Sequence, residues 1–120
     1  MSRDHQKLRV FILADSLATS IYLATKGFPA TERFGLQIQL RRAAVSVSVN
    51  IVEGSARRST SEYLNFLNIA AGSAAEAQYL IDLSSRVGFL SEVDRQELGT
   101  QYLELAAGLQ ALIRALSREP

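Results

Sequence analysis

The most regular spacing of apolar residues lies in the C-terminal quarter of the chain. Six apolar residues recur there at alternating intervals of four and three: Leu98, Tyr102, Leu105, Leu109, Leu112 and Leu116. This spacing forms one apolar stripe along an α-helix. Ser91 can cap that helix by accepting a hydrogen bond from the amide of Asp94, because the first amides of a helix have no partner within it. The pattern therefore predicts a helix that begins just after Ser91.

A second long helix is predicted to begin at Ser59 and to end near Gly88. Ser59 and Glu62 have the spacing of a capping box, and a glycine commonly ends a helix in the left-handed conformation. Its inward stripe is predicted to be Tyr63, Leu67, Ala70, Ala74, Ala77 and Ile81. A neighbouring stripe of Phe66, Ser73, Leu80 and Val87 indicates contacts on two sides. The small residues of segment 70–75 favour close helix packing over a ligand site.

The N-terminal part of the chain predicts a helix over about residues 4–26. Its apolar face consists of Val10, Ala14, Leu17, Ile21 and Ala24. The sequence Gly27-Phe28-Pro29 should end this helix, because proline disfavours the helical conformation in the residue before it. Thr31 is predicted to cap the helix that follows.

Residues 43–52 could form either a strand or a helix. Apolar and polar residues alternate there and valine is frequent, as in a strand. A lone strand among helices would leave its backbone groups unpaired, so we favour a helix. That helix would carry Ile38, Val45, Val49 and Val52 on one apolar stripe and Leu40, Ala44, Val47 and Ile51 on another. Apolar residues on two sides indicate burial against a further surface, and hence self-association.

Four such helices predict an all-α protein, an antiparallel up-and-down four-helix bundle that forms a single domain of residues 1–120. The chain has no cysteine, so disulfides and thiolate metal sites are excluded and a cytoplasmic location is expected. No apolar run is long enough to suggest a membrane span, and no signal peptide is expected. The first 58 residues contain nine basic and four acidic residues, whereas the last 62 contain four and eight. A bundle of this sequence could present a basic face and an acidic face.

Catalytic chemistry is difficult to assign to these residues. His5 is the only histidine, and it lies near the chain terminus. Glu92, Asp94 and Glu97 are explained by the favourable position of acidic residues in the first turn of a helix. Gly54 is not part of a glycine-rich phosphate loop, because the lysine and second glycine of that motif are absent. We therefore expect no enzyme activity, no metal and no cofactor.

Three sequence blocks resemble a known family. Residues 28–34, 39–54 and 71–76 match, in order and spacing, the four-helix-bundle proteins encoded in intervening sequences of bacterial 23S ribosomal RNA genes. The resemblance implies an antiparallel four-helix bundle that assembles as a pentameric ring. It also implies a relation to the accessory proteins of diversity-generating retroelements, which bind nucleic acid and a reverse transcriptase.

Five arginines are the candidate nucleic-acid-binding residues: Arg33, Arg41, Arg42, Arg57 and Arg58. The planar arginine fork suits phosphate, and a ring would repeat the set in every subunit. For Arg42, a salt bridge between subunits is an equally good interpretation. Asn50 is expected to form a hydrogen bond across the bundle, and Glu53 is expected to pair with Arg57 or Arg42.

Two functions follow from these observations. The leading hypothesis is a non-enzymatic homo-oligomer that binds the backbone of RNA or DNA through its basic surface. The alternative is a protein-interaction adaptor, a ring that docks another protein through its acidic second half without binding nucleic acid.

Overall fold

Four α-helices make up the protein in a computed structural model that describes residues 4–5 and 8–118. They are α1 (Arg9–Thr25), α2 (Leu36–Ser55), α3 (Thr60–Arg86) and α4 (Glu92–Ser117), and a short 3-10 turn, Ala30–Glu32, precedes α2. The described part of the chain contains no strand, so the all-α prediction is confirmed. Within that part, no helix combines the length and apolarity needed to cross a membrane.

Each helix packs against the next one along the chain, and α1 packs against α4 to close the bundle. The direction of the helices follows from individual contacts. Gly54 near the end of α2 lies against Tyr63 near the start of α3, whereas Ser46 earlier in α2 is bonded to Ser73 later in α3. Neighbouring helices in sequence therefore run antiparallel, as the short connections between them require.

The core consists of the predicted inward stripes. All six residues of the α3 stripe are buried, and so are five of the six in α4; Leu112 is partly buried. Two tyrosines, Tyr63 and Tyr102, are the largest side chains in this core. Burial raises the pKa of the Tyr102 hydroxyl well above its ordinary value, so the side chain remains neutral.

The predicted starts of α3 and α4 are confirmed by their caps. The Ser59 hydroxyl accepts a hydrogen bond from the amide of Glu62 at 3.1 Å. The Ser91 hydroxyl accepts one from the amide of Asp94, also at 3.1 Å. Gly88 has a φ of +89°, which is the left-handed conformation expected where α3 ends.

The start of α2 differs from the prediction. Thr31 does not cap this helix; it is exposed and lies within the 3-10 turn. The carboxylate of Glu32 instead accepts a hydrogen bond from the amide of Leu36 at 3.0 Å. Gly35 permits this arrangement, since a Cβ atom at that position would lie 2.6 Å from Glu32 Oε1. A longer acidic side chain has therefore replaced the predicted hydroxyl cap.

The start of α1 also differs. The helix begins at Arg9, five residues later than predicted, and Asp4 and His5 lie outside it. Leu8 has an extended conformation and no side-chain oxygen with which to cap the helix. The apolar spacing continues before Arg9, but no capping group fixes an earlier start. The predicted residues 6 and 7 of this helix lie outside the described part of the chain.

Candidate nucleic-acid interface

Arg41 is engaged within the subunit. Its Nε atom donates a hydrogen bond to Thr25 Oγ1 at 2.9 Å, and its Nη2 atom donates to the carbonyl oxygen of Tyr22 at 3.4 Å. The guanidinium also lies over the Tyr22 ring, 4.5 Å from its centroid. These contacts hold a positive charge at the C-terminal end of α1, where the helix dipole favours a cation.

The C-terminal end of α1, which accepts these hydrogen bonds, contains the buried Thr25. Thr25 donates a hydrogen bond from its hydroxyl to the carbonyl oxygen of Ile21 at 2.8 Å. Its own carbonyl oxygen accepts a hydrogen bond from Gln37 Nε2 at 2.9 Å. Carbonyl groups in the last turn of a helix have no partner within the helix. Arg41 and Gln37 supply partners from α2, so they tie the two helices together.

Arg42 points away from this contact because successive helical residues are about 100° apart around the axis. Its side chain is exposed and lies beside Val45 and Val49. Glu53 lies three turns further along the same helix, about 16 Å away at 1.5 Å per residue. The predicted pairing of Glu53 with Arg42 is therefore absent within one subunit.

Arg33 lies at the end of the bundle where α2 begins. Its side chain is exposed, and the neighbouring Phe34 is 85% exposed. The 20 residues of α2 separate it from Arg57 and Arg58. A helix of that length spans about 30 Å. The five candidate arginines therefore occupy two ends of the subunit and do not form one patch.

Arg57 and Arg58 lie in the exposed connection between α2 and α3. The guanidinium of Arg57 lies over the ring of Phe66, 4.6 Å from its centroid. Phe66 is positioned by a close approach of α2, because a Cβ atom on Gly54 would lie only 2.8 Å from Phe66 Cβ. Arg57 is thus held at the surface by an aromatic ring. The pairing of Glu53 with Arg57 stays a prediction.

The same end of the bundle carries two further arginines that sequence analysis missed. Arg114 and Arg118 lie in the last turns of α4, and both are exposed. Because α4 runs antiparallel to α3, its C-terminal end meets the α2–α3 connection. Arg118 Nε donates a hydrogen bond to the carbonyl oxygen of Arg114 at 3.2 Å. The second half of the chain is acidic overall, and for this reason sequence analysis overlooked the two arginines. A four-helix topology was sufficient to place them at this end.

The four arginines at this end define a surface that we call the basic end: Arg57, Arg58, Arg114 and Arg118. Among the described residues, the exposed acidic Glu53 and Glu62 lie at the same end of the bundle, and the exposed Asp4 precedes α1 there. The basic side chains therefore outnumber the nearby carboxylates. Such a surface can attract phosphate groups, because arginine remains charged and offers several donors.

Asn50 forms its hydrogen bonds within α2. Its Nδ2 atom donates to the carbonyl oxygen of Ser46 at 2.8 Å and to Ser46 Oγ at 3.1 Å. The hydroxyl of Ser46 is hydrogen-bonded to that of Ser73 on α3, at 2.8 Å. The predicted hydrogen bond across the bundle is therefore made by Ser46, and Asn50 supports it.

The second apolar stripe of α2 is present, and it lies at the surface. The inner stripe of this helix is fully buried in the core, as predicted. The side chains of Val45 and Val49 are 37% and 44% exposed. Ile38 and Val52 are partly buried beside them. We call these four residues, with the flanking Arg42 and Glu53, the α2 outer face.

The acidic residues at the start of α4 form a local ion-pair cluster. Arg95 contacts Glu92 in the same turn and Asp82 on α3, the latter at 3.8 Å. The hydrogen bond from Arg95 lowers the pKa of the Glu92 carboxyl. This cluster lies at the end of the bundle opposite the basic end. Among the described residues, no group of acidic or histidine side chains is arranged to hold a metal ion.

Comparison with known proteins identifies relatives of the chain. The model of one family, described as 23S rRNA-intervening sequence protein, matches residues 6–111. Among solved structures, a protein of unknown function from the S23 ribosomal protein family of Bacteroides thetaiotaomicron has the same fold, with a TM-score of 0.80 and 24% sequence identity. The match covers 88% of this chain and 95% of that protein. Among curated proteins, none matches this chain.

Proposed function

Because the chain belongs to the 23S rRNA-intervening sequence protein family, we propose that it is a non-enzymatic, homo-oligomeric protein that binds the backbone of RNA or DNA. The observation that carries this proposal is the basic end, where Arg57, Arg58, Arg114 and Arg118 are all exposed. The family name refers to a location within a ribosomal RNA gene, and it does not identify the nucleic acid that is bound.

Contact with phosphate groups is the role that best fits these exposed arginines. The guanidinium of Arg57 lies over the Phe66 ring, and Arg58 lies beside it in an exposed connection. A nucleic-acid duplex or a single strand can approach this connection. A protein that neutralises phosphates releases the counterions condensed on the nucleic acid, which gives affinity without reading the base sequence. Arg41, which bonds to the end of α1, is the least suited of the predicted arginines to this role.

Assembly would strengthen this binding. One subunit offers only a few arginines, which is a small basic surface compared with the six to ten phosphate contacts that produce a strong salt dependence. The exposed apolar stripe of α2 favours assembly, because large exposed apolar patches commonly mark contact surfaces. We propose the pentameric ring of the resembling family as the form in which the basic ends act together.

The test is replacement of Arg57 and Arg58 by alanine. We expect the double variant to bind several unrelated RNA and DNA sequences more weakly by similar factors, because backbone contacts carry no base information. The slope of log affinity against log salt concentration should fall by about 0.9 for each lost contact to duplex DNA, or about 0.7 for single strands. Fluorescence anisotropy across a salt series measures both quantities.

A matched control is Arg86→Ala, an exposed arginine at the opposite end of the bundle. This variant should keep the affinity and the salt slope of the wild type. The phosphate role of Arg57 and Arg58 is wrong if the double variant behaves like the control while its oligomeric mass is unchanged. Absence of binding by the wild type at low salt would remove the nucleic-acid function altogether.

The acidic residues at the start of α4 support a second candidate, the protein-interaction adaptor. Val93 is 65% exposed and stands beside Glu92 in the first turn of α4. An exposed apolar side chain beside acidic residues suits a basic protein partner, such as a reverse transcriptase. A pull-down repeated after digestion of RNA and DNA separates the two functions, because only an adaptor retains its protein partner.

A further inference from the structure

A groove with a volume of about 780 Å³ lies between α1 and α4. Its lining is mostly apolar and includes Ile12, Leu13 and Leu112. Ile12 is 56% exposed there. The two helices approach closely where Val10 meets Gly108, since a Cβ atom on that glycine would lie 2.9 Å from Val10 Cγ1. The subunit therefore has two separate apolar surfaces, the α1/α4 groove and the α2 outer face.

Charged residues flank both surfaces. Arg42 and Glu53 lie beside the α2 outer face, and Arg9 and Glu104 line or border the groove. All four are exposed, and none forms an ion pair with another residue of the described part of the chain. Each surface thus has one positive and one negative charge without an ion-pair partner among the described residues.

We propose that the α2 outer face of one copy docks in the α1/α4 groove of the next copy, with Glu53 opposite Arg9 and Arg42 opposite Glu104. The spacing of the charges fits. Arg42 and Glu53 are about 16 Å apart along α2. Arg9 and Glu104 are about 12 Å apart, given 1.5 Å per residue and about 9 Å between helix axes. Side chains of this length can cover the difference.

The charges also set the direction of docking. Arg9 lies near the basic end, and Glu104 lies further from it, because α1 and α4 run antiparallel through the Val10–Gly108 contact. Pairing Glu53 with Arg9 therefore aligns the basic ends of both copies. Repetition of the contact would place every Arg57 and Arg58 on one side of the assembly. The proposed phosphate surface would then be continuous across subunits.

Two unlike surfaces that fit each other form a head-to-tail contact, which closes into a ring or continues as a filament. This contact rests on the self-association that the proposed function includes, and it specifies the two faces that meet. It predicts that each copy uses one α2 outer face and one groove. By contrast, a symmetric dimer would use the same face on both copies.

The experiment mixes two variants. Val49→Glu places a charge on the α2 outer face, and Ile12→Glu places one in the groove; both positions are exposed, so the fold should be retained. We expect each variant alone to be monomeric near 13.2 kDa in sedimentation velocity, where the wild type is several-fold heavier. An equimolar mixture retains one intact groove and one intact outer face. It should therefore form a heterodimer of about twice the chain mass.

Leu103→Glu is the matched control, because Leu103 is 64% exposed on the outer side of α4, away from both surfaces. It should keep the wild-type mass, and circular dichroism should show equal helix content in all three variants. The proposal is overturned if Ile12→Glu alone keeps the wild-type mass, because α2 would then contact α2 or a different site. A mixture that stays monomeric, or a wild type that is monomeric, overturns it as well.

A charge exchange tests the direction of docking. Arg9→Glu and Glu53→Arg should each weaken the assembly about tenfold or more in dissociation constant, and the two changes combined in one chain should restore most of the loss. No restoration would show that these residues do not face each other. Nucleic-acid binding is measured on the same samples. An assembly that behaves as expected but binds no RNA or DNA refutes only the proposed function, whereas binding with an unaffected assembly refutes only this contact.

Discussion

Two arginine pairs that look alike in the sequence have different surroundings in the structure. Arg41 and Arg42 lie within α2, where the turn of the helix separates them: Arg41 bonds to the end of α1, and Arg42 flanks the α2 outer face. Arg57 and Arg58 follow α2 in an exposed connection, where both remain at the surface. A pair of adjacent arginines therefore forms a common basic surface only where the backbone leaves the helix.

The difference has a physical cause in the partners available at each place. The end of α1 offers carbonyl oxygens that need donors, and Arg41 is within reach of them. Near the end of α2, the guanidinium of Arg57 lies over the face of Phe66, which attracts a cation. Arg57 therefore stays at the exposed surface beside an aromatic ring, whereas Arg41 is hydrogen-bonded to a helix end.

The largest effect should come from disturbing the support of Arg57. In Gly54→Ala, the new Cβ atom would lie 2.8 Å from Phe66 Cβ and 3.0 Å from Tyr63 Cδ1, so α2 and α3 must move apart. Overpacking of this kind costs about 1 to 3 kcal/mol, which exceeds the gain of up to about 1 kcal/mol in helix propensity. Chemical denaturation should therefore show a net loss of stability.

Gly72→Ala is the matched control for this substitution. Gly72 is also inside a helix, but a Cβ atom there meets nothing within 4 Å. The change should therefore stabilise the protein, by up to about 1 kcal/mol. If both variants shift the free energy of unfolding in the same direction, the close contact of Gly54 with Phe66 does not set the distance between the helices.

The next effect concerns the first arginine pair. Arg41→Ala removes two hydrogen bonds and the contact with the Tyr22 ring, and it leaves the Thr25 hydroxyl oxygen without its donor from α2. We expect a loss of about 1 to 2 kcal/mol in the free energy of unfolding, since hydrogen bonds from charged groups contribute more than neutral ones. Urea titration followed by circular dichroism measures this loss.

Arg41→Lys sharpens the interpretation of that loss. Lysine keeps the charge at the end of α1 but cannot reproduce the planar fork that reaches Thr25 and Tyr22 together. It should recover only part of the stability. Full recovery would mean that the charge alone stabilises the helix end, and an unchanged stability in Arg41→Ala would show that the observed contacts contribute nothing.

The fold could be predicted from the sequence because apolar spacing and capping residues agreed with each other. Ser59 and Ser91 mark helix starts by a hydroxyl followed three residues later by an acidic residue, and both caps form. The secondary structure of residues 43–52 was ambiguous between strand and helix. The helix was favoured because a lone strand would leave its backbone groups without hydrogen-bond partners. Thr31 was misleading because α2 begins later, at Leu36, where the carboxylate of Glu32 accepts the hydrogen bond from the amide. Sequence patterns do not separate such competing caps.

The candidate site was less predictable, for a geometrical reason. Arg41 and Arg42 are adjacent in sequence, and only the packing of α2 against α1 shows which of them is engaged. Arg114 and Arg118 are distant from Arg57 in sequence and lie at the same end of the bundle. Charge counted along the chain cannot detect either relation, because both depend on which helix ends meet.

The smallest effect on stability should separate the roles of Arg42 and Arg58. Both side chains are exposed, so each alanine variant should change the free energy of unfolding by less than about 0.5 kcal/mol. Arg42→Ala should weaken the assembly slightly, since an ion pair at the rim of a contact contributes about 0 to 1 kcal/mol. At protein concentrations that maintain the assembly, it should leave the salt slope of nucleic-acid binding unchanged. Arg58→Ala should do the opposite, with a shallower salt slope and an unchanged dissociation constant of the assembly. Sedimentation equilibrium and anisotropy on the same two variants provide both measurements. If Arg42→Ala reduces the salt slope as much as Arg58→Ala does, Arg42 contacts phosphate, and the two arginine pairs share one function despite their different places in the fold.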